Sequence, residues 1–471
     1  MSATRKSLAP PACLMVLALG GCVPSAELAV APQVLSAEWQ QQPETSNIAA
    51  PTSDSLGAAL GAPELQGLLA RAAAGNADVA ASAARVSRAR AQLGIARAAM
   101  LPVVTASAGI SETRTDNRGG PVFNFSEGFA GLDVAYEIDL LGGAKAGRNS
   151  ARARLVAAAF DLDALALVVE TEVARAFVQH AALSDRIVLL DRNLAQAREL
   201  ERIIGARLRA GAATRVDLGL QTIQVRQLEA ERLRLDEAMI RTRNAMAVLV
   251  GEEAPRFALP QSTLADLAVP DIALVQPGEL LVRRPDIRAA EARIAAAEGD
   301  VRQARAAFLP RLRLSASALG QAATLAGPLG ATFAIGADLL APIFNRGRLR
   351  GNLGAAAATQ AESVALYRGA LLTALGEAEN ALTAVEQARA REGLLTEIVA
   401  EARTTAHLAR RQYLEGDADL QRVLDAEQLL VRAEDARAVA RQERIEAAID
   451  LYKALGGNPQ RESVRPAIAL R

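Results

Sequence analysis

Residues 304–310 read Ala-Arg-Ala-Ala-Phe-Leu-Pro, and residues 96–102, 208 positions earlier, read Ala-Arg-Ala-Ala-Met-Leu-Pro. The offset holds from Asp78/Asp286 through to Ser107-Ala108/Ser315-Ala316. Further on, an offset of 205 aligns residues 172–177 with 377–382, Gly211 with Gly416 and Gly251 with Gly456. Two copies of one long unit therefore fill most of the chain, and the second copy has lost three residues in a loop. Each copy reads as a helix, a Leu-Pro stop, two alternating strands, and two long helices around a glycine. Whatever the protein does must use that plan twice.

The copies are expected at 64–251 and 279–456, separated by an irregular connector at 252–278 and followed by a tail at 457–471. In the first copy a helix runs from about 64 to 100, where Pro102 stops it. Strands follow at about 103–112 and 128–140. In the second of these, Leu132, Val134, Tyr136, Ile138 and Leu140 share one face, with Asp133, Ala135, Glu137 and Asp139 on the other. The second copy repeats the pattern over 311–319 and 330–341. There Leu312 and Leu314 oppose Arg311 and Arg313, while Phe333 and Ile335 oppose Thr332 and Ala334. Strands near ten residues, polar on one face and apolar on the other, match a tilted membrane strand around a wet lumen. Leu132, Val134, Tyr136, Ile138, Leu312, Leu314, Phe333 and Ile335 are the expected lipid-facing residues. Residues 113–128, with Asp-Asn-Arg-Gly-Gly-Pro at 116–121, read as a mobile exposed loop.

The long helices are expected at about 145–210, 214–250, 348–414 and 419–455. At about 1.5 Å per residue, the first would be a rod of about 100 Å. One seven-residue row in it holds Leu155, Leu162, Val169, Ala176, Leu183, Leu190, Ala197 and Ile204. A second holds Ala159, Ala166, Val173, His180, Ile187, Leu194, Glu201 and Leu208. That is a coiled-coil seam with two polar interruptions, which a lone rod cannot bury. Gly211 and Gly416 end the rods, and Thr214, with Asp217 at capping-box spacing, and Asp419 suit the caps of the returning helices.

Hydrophobic residues make up 51% of the chain but aromatics only 3%, so the apolar mass is Ala, Leu and Val, which suits packed helices. Lys and Arg balance Asp and Glu at 53 each, so no basic field argues for nucleic acid. Arg5-Lys6, an apolar run to Leu19 and Gly20-Gly21-Cys22 form an address at 1–21. It resembles a bacterial lipoprotein signal, with Cys22 the lipidated first residue and Val23 implying the outer membrane. Residues 22–63 read as an extended, lipid-anchored lead-in in which Trp39 is an anchor onto the helical body.

No constellation for chemistry stands out. The Gly-rich stretch 142–147 follows a strand and opens a helix but lacks the Gly-Lys-Ser/Thr ending of a phosphate loop. His180 and His407 do not coincide in the repeat, and the mature chain offers no cysteine pair, so no enzyme activity, cofactor or metal site is expected.

Four membrane strands cannot close a barrel, and open edges in lipid leave backbone groups unsatisfied, so several copies must share one barrel. The lipobox, the doubled unit, Tyr-Glu-Ile-Asp-Leu at 136–140, Ala-Pro-Ile-Phe-Asn-Arg-Gly at 341–347 and Leu-Gln-Arg-Val-Leu-Asp-Ala-Glu-Gln at 420–428 together resemble the TolC-type outer-membrane efflux proteins, in their NodT-type lipoprotein branch. At 427 that family more often has Gln. The resemblance implies a mostly α protein with membrane β: a homotrimer with a shared 12-stranded barrel and a periplasmic tunnel. It implies an inner-membrane pump and a periplasmic adaptor as partners and the export of drugs or other small molecules. Adaptor contacts would fall around Leu208, Gly211, Thr214, Tyr413 and Gly416, and the periplasmic gate around Leu414, Asp417 and Asp419. The two aspartates equally suit turn and cap chemistry. A duct for type I protein secretion and a pore-free lipidated coiled-coil scaffold are the alternatives.

Overall fold

The computed structural model describes residues 39–40, 56–116, 119–270, 272, 275–322 and 328–457. The expected signal at 1–21, Cys22 and most of the lead-in lie outside the described residues. The chain divides into two compact units. One is built on Gln92–Ala153 and Ile294–Val364, the other on Gln33–Ala91, Arg154–Arg293 and Ala365–Arg471.

The first unit holds a four-stranded antiparallel sheet in the order β1-β2-β3-β4: β1 (Val103–Thr115), β2 (Phe123–Ile138), β3 (Arg311–Ala322) and β4 (Gly330–Leu340). Val103 pairs with Ala135, Tyr136 with Leu314, and Ala316 with Ile335. This register gathers Leu132, Val134, Tyr136, Ile138, Leu312, Leu314, Phe333 and Ile335 on one face. Thr105, Asp133, Glu137, Arg313, Ser315, Ser317 and Asp338 share the other. The expectation of a loop over 113–128 is corrected: β1 and β2 pair through Thr115 and Phe123, leaving only the turn-forming residues between them. Thr113, Thr115 and Phe123 favour extended backbone, and turn chemistry is confined to 116–121. The strand expected to reach 140 stops at Ile138, because Asp139 serves the helix that follows. Its Oδ1 and Oδ2 accept from the backbone N–H groups of Ala144 (3.2 Å) and Lys145 (2.7 Å). That helix, α4 (Gly143–Arg209), approaches α7 (Pro285–Ala306) through small residues. A methyl group on Gly299 would lie 2.8 Å from Ser150 Cβ, and the buried Ser150 hydroxyl donates to Asp300 Oδ1 at 2.7 Å.

The second unit is helical. Its N-terminal helix is two helices, not the continuous one expected over 64–100: α1 (Leu56–Ala59) leads into α2 (Pro63–Gly75), and α3 (Ala77–Ala98) begins after a break at Asn76. Asn76 is extended and supplies its own reason for the break. Its Oδ1 accepts from the N–H of Asp78 and Val79, capping α3, while its Nδ2 donates to Leu249 O at 2.9 Å. Leu65, Leu68, Phe177, Met246, Val250, Phe257, Ile445 and Ile449 form the main core of this unit. Below it, Leu183, Ile187, Leu190 and Leu194 of α4 pack on Val225, Leu228 and Leu235 of α5 (Arg215–Val250). Val399 and Ala402 of α8 (Arg346–Glu415) pack on Ala433 of α9 (Leu420–Ala454). The two polar seam residues fare differently, the buried Nδ1 of His180 having no hydrogen-bond partner among the described residues. Glu201 accepts from Thr222 Oγ1 at 2.6 Å, and burial holds the His180 imidazole below its ordinary pKa and so neutral.

The connector is tied down by single contacts. Asp185 Oδ2 accepts from Leu264 N, and Trp39 Nε1 donates to Val275 O at 2.6 Å, the anchoring expected of it. Before α7 come a 3₁₀ turn (Pro277–Glu279) and α6 (Leu280–Arg283). Arg284, 7% exposed, joins Asp286, Glu377 and the carbonyl of Ala454, so one side chain ties the start of α7 and the end of α9 to the middle of α8.

Candidate functional site: two helical turns and a two-faced strand wall

The hairpin of α4 and α5 turns at 210–214, and that of α8 and α9 at 416–419. Gly211 (φ +74°) and Gly416 (φ +91°) adopt the left-handed backbone that a side chain resists, so each rod stops there. Thr214 forms the capping box expected of it. Its hydroxyl accepts from Asp217 N, and the Asp217 carboxylate accepts from Thr214 N at 2.7 Å. Asp419 caps α9 through Arg422 N at 3.0 Å. Asp417 donates its N–H to Gln412 O, and among the described residues its carboxylate has no hydrogen-bond or ion-pair partner.

The fold brings the two turns together. Leu200 and Ile204 beside the first turn share a buried cluster with Tyr413, Leu420 and Val423 of the second. Arg207, which sequence reasoning did not single out, fastens them. Its Nη1 and Nη2 donate to the carbonyls of Tyr413 (3.4 Å) and Leu414 (3.1 Å), and its guanidinium lies 4.6 Å from the Tyr413 ring centroid. Only its position one helical turn before the glycine hinted at this. Of the tip candidates, Gly211, Thr214, Gly416 and Leu414 are exposed, Leu208 is half-buried and Tyr413 is buried.

Glu427, on α9, stands over Arg410 of α8 with 3.9 Å between Oε1 and Nη1. Burial pushes its carboxyl above the ordinary glutamate range, and Arg410 only partly opposes the shift. Asn193, Gln196 and Gln224 line the same small cavity, about 20 Å³.

The strand wall is the second feature. Phe333 and Ile335, 80% and 92% exposed, stand off the apolar face, and the charged residues of the opposite face keep company with one another. Arg313 lies in register between Glu137 and Asp338, and Arg311 Nε is 3.9 Å from Glu137 Oε1. No described helix is long and apolar enough to cross a membrane. Among the described residues no three His, Cys, Asp or Glu side chains gather as a metal site would require. A cavity of about 830 Å³ is lined by Leu69, Val79, Phe160, Leu167 and Val282, with Asp163, Glu170, Arg288 and the Glu279–Arg283 ion pair also in its wall.

The family description "outer membrane efflux protein" matches this sequence over residues 68–252 and 276–457. The pyoverdine export outer membrane protein OpmQ of Pseudomonas aeruginosa is 35% identical over 421 residues, covering 85% of this chain and 87% of that protein. The solved outer-membrane channel OprN superposes with a TM-score of 0.82 at 28% identity, covering 91% of this chain and 99% of that one. The Campylobacter jejuni CmeC channel shares the fold, with a TM-score of 0.84 at 22% identity, covering 93% and 95% of the two chains. These relatives are channels of the outer membrane rather than enzymes. With twin glycine turns on long rods, a two-faced sheet and a family match over most of its length, this chain belongs to the outer membrane efflux protein family.

Proposed function

We propose that this protein is the passive exit duct of a tripartite efflux system: three copies that share one 12-stranded barrel and a periplasmic tunnel of coiled helices. The observation that carries the reading is the sheet. It is a meander of four strands, β1 and β4 have no further strand partner among the described residues, and one face is apolar and exposed while the other is charged. In lipid, each unpaired edge group costs several kcal/mol, so edge must meet edge of another copy. The doubled order of helix, strand, strand, helix, helix supports an internal duplication, since each half supplies two strands to that wall and one long hairpin to the tunnel.

In this reading the two turns are the free periplasmic tips. Gly211, Thr214 and Gly416 offer exposed backbone and caps to an adaptor, flanked by Leu208 and supported from beneath by Tyr413. Leu414, Asp417 and Asp419 would be copied into rings. Close carboxylates repel one another and attract cations, and can hold a pore shut or select at its mouth. Asp417 suits that role better, because Asp419 is engaged in its cap. Cys22 would carry the lipid, anchoring the chain to the outer membrane. The name of OpmQ, a pyoverdine export protein, favours export of a compound of that kind over protein secretion.

The test is purification in detergent, with subunits counted by native mass measurement and the pore read in planar bilayers. A three-fold particle that conducts is the expected result. A chain that stays a folded, soluble monomer without detergent would overturn the proposal.

A further inference from the structure

On the charged face of the sheet, three of the four glycines that occupy strand positions each receive the side chain opposite them, the exception being Gly330. Gly109 pairs with Phe129, Gly131 with Leu319, and Gly336 with Ser315. A methyl group on Gly109 would lie 2.7 Å from both Cε1 and Cζ of the Phe129 ring. On Gly131 it would lie 2.9 Å from Leu319 Cδ1, and on Gly336 2.9 Å from Ser315 Oγ. Strand side chains usually stand roughly perpendicular to the sheet. Here Phe129 and Leu319 lie along it instead, each across the neighbouring strand. Glycine inside a strand weakens it and marks a close approach, so these positions need a compensating reason.

We propose that Gly109 and Gly131 are seats that hold Phe129 and Leu319 flat against the wall, fixing the bore of the conduit and presenting one face of the Phe129 ring to passing solute. The proposal rests on the reading above that the charged face lines a lumen. Filling the Gly109 seat leaves the ring only its other staggered positions, and those lift it off the sheet into the bore. The two seats differ in what else they touch. Alanine at 131 would also press on the backbone oxygen of Ala318, at 2.9 Å, whereas the contacts at 109 all belong to the ring. Gly109→Ala is therefore the clean perturbation, and Gly131→Ala also strains the sheet.

The experiment compares the wild type, Gly109→Ala, Phe129→Ala and the double variant in planar bilayers, with polyethylene glycols of graded size added on the side of the strand loops. Gly109→Ala should lose conductance and exclude smaller polymers than the wild type. Phe129→Ala should not, and Gly109→Ala with Phe129→Ala should regain the wild-type bore, since the lifted ring is gone. A Gly109→Ala channel identical to the wild type would overturn the seating. So would a double variant that stays narrow, or one that fails to assemble when Gly109→Ala also fails. A wild type that forms no pore at all would instead remove the lumen reading, and the seating with it.

Discussion

Gly75 and Gly251 meet backbone to backbone: a methyl group on Gly251 would lie 2.0 Å from the Gly75 carbonyl oxygen. This is where the end of α2 crosses the end of α5, and Gly251 turns there with φ +80°. Gly251→Ala therefore meets two penalties, a left-handed backbone worth roughly 1–2 kcal/mol and a clash that only moving a helix can relieve. Gly211→Ala, at φ +74° in open space, meets only the first. Thermal unfolding in detergent should show a much larger loss for Gly251→Ala than for Gly211→Ala. Equal losses would mean that the helix crossing adapts.

Arg207→Ala should release the second turn from the first. The variant loses two hydrogen bonds and the contact with the Tyr413 ring, so cleavage at 413–419 by a limiting protease should quicken while the helix content is kept. Arg207→Lys should not restore protection, because an ammonium cannot span two carbonyls and also lie flat on the ring. Full rescue by lysine would reduce Arg207 to a simple positive charge.

The two aspartates of the second turn should separate. Asp419→Ala removes a helix cap and should cost about 1 kcal/mol of stability. Asp417→Ala should leave stability unchanged and raise the conductance of the closed channel, the pair of changes together raising it most. A pore unaltered by both substitutions would remove these residues from the gate.

Glu427 gives a pH-dependent prediction. Its folded pKa lies above its unfolded one, so between the two the folded state binds the proton more tightly, and stability falls as pH rises through that window. At neutral pH the buried charge is a cost. Glu427→Gln should raise the melting temperature at pH 7, and the gain should shrink as pH falls toward the ordinary glutamate range and vanish below it. A gain independent of pH would place its cause in packing.

Much of this arrangement is legible in the sequence because it rests on periodicity. The alternation at 132–138 and 311–314 gives both faces of the sheet, and the seven-residue rows give the buried side of α4, since both signals repeat over many residues. Thr214 and Asp217 could be read as a cap because both partners lie within one turn of chain. Asn76 could not. The helical pattern continues across it, and its role depends on Leu249, far away in sequence. Arg207 was hidden for the same reason, its acceptors lying on another hairpin. The far ends of β1 and β2 were hidden because loop-like residues sit between short segments that only pairing makes into strands. Gly109 was silent too: a glycine declares a close approach only when its neighbour is known.

The strict parity of the sheet bears on how such a chain can change its length. In β3, Leu312 and Leu314 alternate with Arg311 and Arg313, and their partners on β2 and β4 follow the same beat. One inserted residue within a strand would turn every later side chain to the opposite face, guanidinium to the apolar side and leucine to the charged side. Changes of length are therefore confined to the hairpin ends, where both strands of a pair lengthen together: β1 and β2 hold 13 and 16 residues, β3 and β4 12 and 11.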